Sequence, residues 1–258
     1  MNPSKIIPAV LALGVLFVFS GCLKEYNYVK QHPGAEVTGC RIRMMMNGSN
    51  TFRVYYNDYG DPTDMVAAPL FSSWIGDRHF RYDKHHRLTD FFIGQPALTD
   101  FRIIWHRYTY ISKSLVSDSL FTYITDGAGP NPPPENFSSL TIDSLDAEGR
   151  IVKLTQPGYP SSTQYIHYNA KGNIQNYNEV YDNKLNIYHT SRVWMFTEQD
   201  YSVNNRLNFT DGVVQITSYN AAGLPLVFQV VSGPASGLFK NIGYQKLEVV
   251  YDCGDEHY

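Results

Sequence analysis

Tyr165-Ile166-His167-Tyr168-Asn169-Ala170-Lys171-Gly172-Asn173-Ile174 is the stretch on which the reading of the fold turns. It starts with alternating aromatic and aliphatic residues, breaks at Asn169, and restarts at Ile174. Alternation of period two reads as a half-buried strand. Asn169 can cap a turn through its own side chain, and Gly172, three residues later, supplies a positive φ without steric cost. The stretch is therefore one hairpin. Ile216-Thr217-Ser218-Tyr219-Asn220-Ala221-Ala222-Gly223-Leu224-Pro225-Leu226 repeats it, and Leu145-Asp146-Ala147-Glu148-Gly149-Arg150-Ile151 repeats it with Leu in the aromatic place. Phe80-Arg81-Tyr82-Asp83-Lys84-His85-His86-Arg87-Leu88 and Val54-Tyr55-Tyr56-Asn57-Asp58-Tyr59-Gly60-Asp61-Pro62 are looser copies. A lone hairpin is marginal in water, so such units must stack to persist.

Working outward, the strand pattern covers the rest of the body. Thr51-Phe52-Arg53-Val54-Tyr55-Tyr56, Phe101-Arg102-Ile103-Ile104-Trp105 and Lys246-Leu247-Glu248-Val249-Val250-Tyr251 are β-branched and aromatic, and helical periodicity is hard to find. The Pro-rich run Gly127-Ala128-Gly129-Pro130-Asn131-Pro132-Pro133-Pro134 suits neither strand nor helix. It either divides the chain or forms a long loop tip within one sheet, and similar strands on both sides favour the loop. The expectation is an all-β chain: an antiparallel β-meander of hairpin repeats forming a large twisted or curved sheet, with about 12–16 strands.

The repeats resemble the YD (Rhs-like) repeat, whose pattern is Tyr-Asp, two residues, Gly, Arg or Asn, then Leu or Ile. Tyr168-Asn169 with Gly172-Asn173-Ile174, and Asp146 with Gly149-Arg150-Ile151, carry the resemblance best. It spans roughly residues 50–250 and implies a structural or binding role, with no named reaction.

Composition narrows the function classes. Aromatic residues make up 14% of the 258, nearly matching the 17% that are charged. That balance excludes disordered chains and charge-rich helical bundles. A net charge of −3 leaves no electrostatic footprint for nucleic acid.

The N-terminus reads as an address. After Met1–Lys5, Ile6 to Phe19 is uncharged for fourteen residues, too short for a membrane span and suited to a signal peptide. Phe19-Ser20-Gly21-Cys22 resembles a bacterial lipobox, with Phe19 replacing the usual Leu. That resemblance implies acylation at Cys22, a membrane anchor and an outer-membrane lipoprotein, with the periplasmic or surface face left open. Residues 1–21 would be the signal peptide, 22–36 a tether and 37–258 a single β-rich domain. Lys24-Glu25 partly resembles the export tag of Bacteroidota surface lipoproteins.

Two further cysteines, Cys40 and Cys253, stand near opposite ends of the mature chain. An exported protein meets oxidising conditions, so the pair suggests a disulfide that brings the first and last strands together. Two buried thiols are the alternative.

Candidate chemistry is sparse. His79, His85 and His86 lie near Asp77 and Asp83, but neighbouring strand residues point apart, so they read as a polar turn. Asp143, Asp146 and Glu148 lack calcium-loop spacing. No metal and no cofactor is expected. Carboxylate pairs such as Asp64/Asp77 or Asp182/Glu198 leave a glycoside hydrolase-like activity as a third reading. Trp74, Trp105 and Trp194 are the candidate ligand-binding rings for a glycan or envelope-protein partner. Asp118-Ser119-Leu120 and Asp143-Ser144-Leu145 resemble Bacteroidota O-glycosylation acceptors, which makes Ser119 and Ser144 candidate modification sites. The leading expectation is a non-catalytic cell-envelope lipoprotein, a structural or binding module. The second is a glycan-binding lipoprotein of a polysaccharide-uptake system.

Overall fold

The computed structural model describes residues 25–37, 39–48, 50–68, 77–94, 101–125, 137–175, 179–209, 212–233 and 245–254. Nine strands follow one another as a meander: β1 (Cys40–Met46), β2 (Thr51–Tyr56), β3 (Pro62–Ala68), β4 (Asp77–Tyr82), β5 (Leu88–Gly94), β6 (Phe101–Tyr110), β7 (Leu115–Thr125), β8 (Phe137–Leu145) and β9 (Ile151–Thr155). The short β10 (Gln164–Tyr165) pairs with β9. After an insert the chain resumes with β13 (Asn208–Phe209), β14 (Gly212–Tyr219), β15 (Pro225–Ser232) and β16 (Lys246–Cys253). β16 returns to pair antiparallel with β1 and completes a 14-stranded sheet. The all-β antiparallel meander expected from the repeats is the fold. β7 and β8 are neighbours in that sheet, so the Pro-rich run, outside the described residues, joins adjacent strands and does not divide the chain.

Each repeat closes in the same way. At Asn57, Asp83, Asp146 and Asn169 the side-chain Oδ1 accepts the backbone N–H groups two and four residues on. The residue's own N–H donates to the carbonyl four residues later, at 2.8 to 3.0 Å. Asn220 keeps the same frame, with Leu224 N–H on its Oδ1 at 2.8 Å. The third residue after the cap has positive φ, +80° at Gly149 and Gly172 and +60° at His86. His86 carries that strain without being glycine; its ring packs on Tyr59 at 4.0 Å and its Nδ1 lies 3.4 Å from Asp61.

Units are also tied to one another. The hydroxyls of Tyr82, Tyr168 and Tyr251 donate to the carbonyls of Pro62, Ile151 and Pro225, each five residues past the cap of a neighbouring turn. Arg87 and Arg150 hold their own cap carboxylates, Asp83 and Asp146, through Nε at 2.8 Å. Their guanidiniums also lie over the next ring along the rim, Tyr110 at 4.4 Å and Tyr168 at 4.2 Å. Tyr, Asp, Gly and Arg thus each have a mechanical task. These turns line one rim of the sheet; the ends of β3, β5 and β7 and the starts of β4, β6 and β8 lie at the other.

The insert departs from the expected pattern. A two-stranded ribbon, β11 (Tyr181–Leu185) with β12 (Asn204–Arg206), frames a 3₁₀ turn (Ile187–Thr190) and the helix α2 (Arg192–Glu198). Ser191 caps α2 by accepting from Val193 N–H. At seven residues α2 is too short to display a 3.6-residue period, so its capping serine was its main signal. Trp194 meets Phe80 of β4 edge-on at 5.4 Å, and Phe196 meets Tyr108 of β6 at 4.9 Å. Tyr188 lies with Phe228 of β15 around one cleft. One small element touching strands so far apart in the order requires the sheet to curve around it. The main core, including Ile42, Met45, Phe52, Phe80, Phe91 and Trp194, lies on that inner face.

Polar side chains pin the insert where sheet hydrogen bonds are missing. Asn173 and Asn204 exchange hydrogen bonds at 2.9 and 3.1 Å, Asn205 donates to Asp182 at 2.9 Å, and Asn205 Oδ1 accepts from Ile187 N–H at 3.1 Å. Buried polar groups satisfied this way avoid a desolvation penalty of about 1–3 kcal/mol each.

Residues 25–36 correct the expectation of a tether. Residues 25–31 form a helix, α1. Val29 is fully buried with Val37, Cys40, Leu185, Val203 and Leu224. Ala35 O lies 2.8 Å from His189 Nδ1, and Val37 N–H donates to His189 O at 2.7 Å. Gly34 passes so close to Glu148 that a Cβ would stand 2.0 Å from its carbonyl oxygen, so only glycine fits. Polar composition hid a segment that the folded body holds through just a few apolar side chains. Residues 1–21, expected to be a signal peptide, and Cys22 lie outside the described residues.

Candidate functional site

On a strand, adjacent residues take opposite faces. Phe91 enters the core, so Phe92 faces outward, and the same holds for Trp105 beside His106. Register then stacks the outward rings: Phe92 pairs with Trp105, Trp105 with Phe121, and Phe121 with Phe137. Ring centroids are 5.3, 5.0 and 5.9 Å apart. Four strands at about 4.8 Å spacing make a ladder about 14 Å long. Trp105 and Phe121 are each 9% exposed, whereas Phe137 at the end is 59% exposed. The row continues through Phe92 to His79 and Asp64, which meet at 2.7 Å, and then to the half-exposed Tyr55.

Two arginines cover the rings. Arg107 lies 4.0 Å over Trp105 and 5.5 Å from Phe121, and Arg81 lies 4.9 Å over Phe92. Asp90 stands between them, accepting from Trp105 Nε1 at 2.9 Å and facing Arg107 Nε at 3.8 Å. The surface presents ring edges, guanidinium planes and one exposed phenyl ring. Such a strip can stack an apolar or sugar face and hydrogen-bond acidic or hydroxyl groups beside it.

Of the sequence candidates, Trp105 anchors this ladder. Trp194 does not belong to a ligand surface: it is 1% exposed under the curved sheet. Trp74 falls outside the described residues. Ser119 and Ser144 sit within strands, Ser144 one residue from the end of β8, with partners on both sides, Arg107 and Leu140 for one, Leu115 and Lys153 for the other. Their motif acids Asp118 and Asp143 point inward and are buried, so neither motif is an open loop. Cys40 and Cys253 are disulfide-bonded, directly opposite one another on β1 and β16.

Carboxylates are occupied by structural tasks. Asp77 accepts from Ala67 N–H at 2.8 Å, and Asp182 accepts from Asn205, Lys184 N–H and Tyr219. Glu198 faces the buried Arg78, where desolvation lowers the guanidinium pKa and the carboxylate opposes that fall. Asp83 caps its turn; burial pushes its carboxyl up, but the bonds from the Arg87 side chain and from the Arg87 and His85 N–H groups together outweigh that and bring it to about 2. Among the described residues no group of three His, Cys, Asp or Glu is placed to hold a metal ion.

Sequence reasoning missed two inner-face features. His106 Nδ1 lies 3.0 and 3.1 Å from the two oxygens of Asp118, a pairing that orients the ring and sets its tautomer. A cleft lined by Asn186, Asp200, Arg206 and neighbours has a cavity volume of about 10 Å³, room for about one water and far below the ~300 Å³ usual for small-molecule sites. Glu179 holds Arg206 there at 3.1 Å. Burial disfavours that charge, and Asp200 with Glu179 more than restores it. No protein-family model matches the chain, and no curated protein matches its sequence.

Proposed function

We propose that this protein is a membrane-anchored, non-catalytic lipoprotein of the cell envelope whose curved sheet is a binding module. The lipobox-like Cys22 supports the anchor. The ladder Phe92–Trp105–Phe121–Phe137, a buried cluster separate from the main core that ends on an exposed ring, supports binding. Core packing does not require four large rings in register on the outer face. The ligand is read as extended, because the ladder is a strip and not a pocket. A glycan is the second, finer reading, favoured by stacked rings flanked by Asp64, His79 and Asp90, whose polar atoms suit hydroxyl groups.

The test is a binding screen of the acylated full-length protein against glycans and envelope polymers, beside the Phe137→Ala and Arg107→Ala variants. Binding that falls at least tenfold in both variants supports the ladder as the contact face. Binding unchanged in both removes it from the reading.

A further inference from the structure

We infer that the repeat-turn rim is a membrane-docking surface, so that the folded body lies against the bilayer and does not swing from it. This rests on the reading of Cys22 as the lipid anchor. Only Leu23 and Lys24 separate Cys22 from α1, a reach of about 10 Å. From Glu25 on, the chain is part of the body. Tyr26 OH accepts from Asn204 Nδ2 at 3.2 Å, Val29 is fully buried, and Arg192 N–H donates to Glu36 at 3.0 Å. An anchor that short, joined to a segment that firmly packed, leaves no room for a free tether.

The point of attachment selects one rim. A Cβ on Gly39 would stand 2.9 Å from Glu25 Oε1, and Gly39 O accepts from Gly254 N–H at 3.2 Å. Both glycines adjoin the Cys40–Cys253 bond, at the sheet edge where the repeat turns lie. Those turns share one compact frame, and their tips, at Tyr59, Lys84, Glu148, Lys171 and Ala221, are all exposed.

Their exposed residues suit a lipid interface. Tyr59, at 74%, is the most exposed large apolar side chain among the described residues, and Ile111 at 58% and Tyr28 on α1 at 52% are also exposed. Lys84, Lys113 and Lys171 are exposed beside them. Tyrosine rings and lysine stems sit well at headgroup depth, where the ring or stem is apolar and the tip stays wet. Asp58 and Glu148 share the rim, so the attraction comes from these amphipathic side chains more than from net charge. One acyl chain gives only marginal binding, and several shallow contacts add to it.

The full-length acylated protein in vesicles of phosphatidylethanolamine and phosphatidylglycerol carrying a headgroup nitroxide provides the test. A fluorescent residue is placed at Lys113 on the repeat rim or at Tyr159 on the opposite rim. The label at 113 is expected to be quenched at least threefold more than that at 159. Tyr59→Ser with Ile111→Ser, both exposed and tolerable to the fold, should shrink that ratio, as should ten Gly/Ser residues inserted after Lys24. Equal quenching at the two positions, with Cys22 shown by mass spectrometry to be acylated and the protein sedimenting with vesicles, overturns docking and leaves anchoring intact. An unmodified Cys22 with no sedimentation overturns both.

Discussion

Two tryptophans on the same sheet system have opposite fates. Trp194 is 1% exposed and meets Phe80 beneath the curved strands; Trp105 is 9% exposed and stands on the outer face with Arg107 over it. Both pack among aromatic rings. The inner cluster is closed off from water by strands on several sides and by α2. The outer ladder has the sheet on one side, and Arg81 and Arg107 lie over its rings on the other. Rings of equal size therefore contribute differently: inside they carry the fold, and outside they carry a surface.

The strongest way to break the inner face is alkali. Burial pushes the phenols of Tyr56, Tyr82, Tyr108, Tyr168, Tyr201 and Tyr251 well above their usual range, and Tyr110 to about 12. The unfolded chain releases these protons near pH 10 while the folded chain keeps them. Stability is therefore complete below pH 10 and falls above it, by about 1.4 kcal/mol per pH unit for each such tyrosine. Circular dichroism across pH 8–12 should show cooperative unfolding soon after pH 10; an unchanged fold at pH 12 contradicts the burial of these rings.

Trp194→Ala comes next, with an expected loss of about 3–5 kcal/mol in denaturant unfolding. Cys40→Ser with Cys253→Ser opens the β1–β16 seam that closes the inner face, at about 2–5 kcal/mol; the same two-state measurement checks it. On the outer face, Trp105→Ala should cost about 1–3 kcal/mol through lost cross-strand and cation–π contacts. If it costs as much as Trp194→Ala, the two faces are not different in kind. Phe137→Ala sharpens the contrast most, since it should change stability by less than about 0.5 kcal/mol while lowering ligand binding.

Much of the scaffold was legible in the residues, for a physical reason. The turn at Asn169 is decided within five residues by one side-chain cap and one glycine, and neither needs the rest of the molecule. The same holds at Asn57, Asp146 and Asn220, and so the meander could be read from sequence. The disulfide was partly legible, because export and an even pair of cysteines suggest it before any register is known. The ladder was not. Phe91-Phe92 and Trp105-His106 offer bulky side chains to both faces, so alternation alone leaves open which one turns inward.

The sequence by itself determined the all-β class, the repeated turn and the identities of the capping residues, since these depend on contacts a few bonds apart. Tertiary structure alone decided that residues 25–36 belong to the body, that Trp194 is core while Trp105 stands outside, and that four rings align. Those outcomes depend on strand register and on what covers each face, and both are set by pairing between residues far apart in the chain.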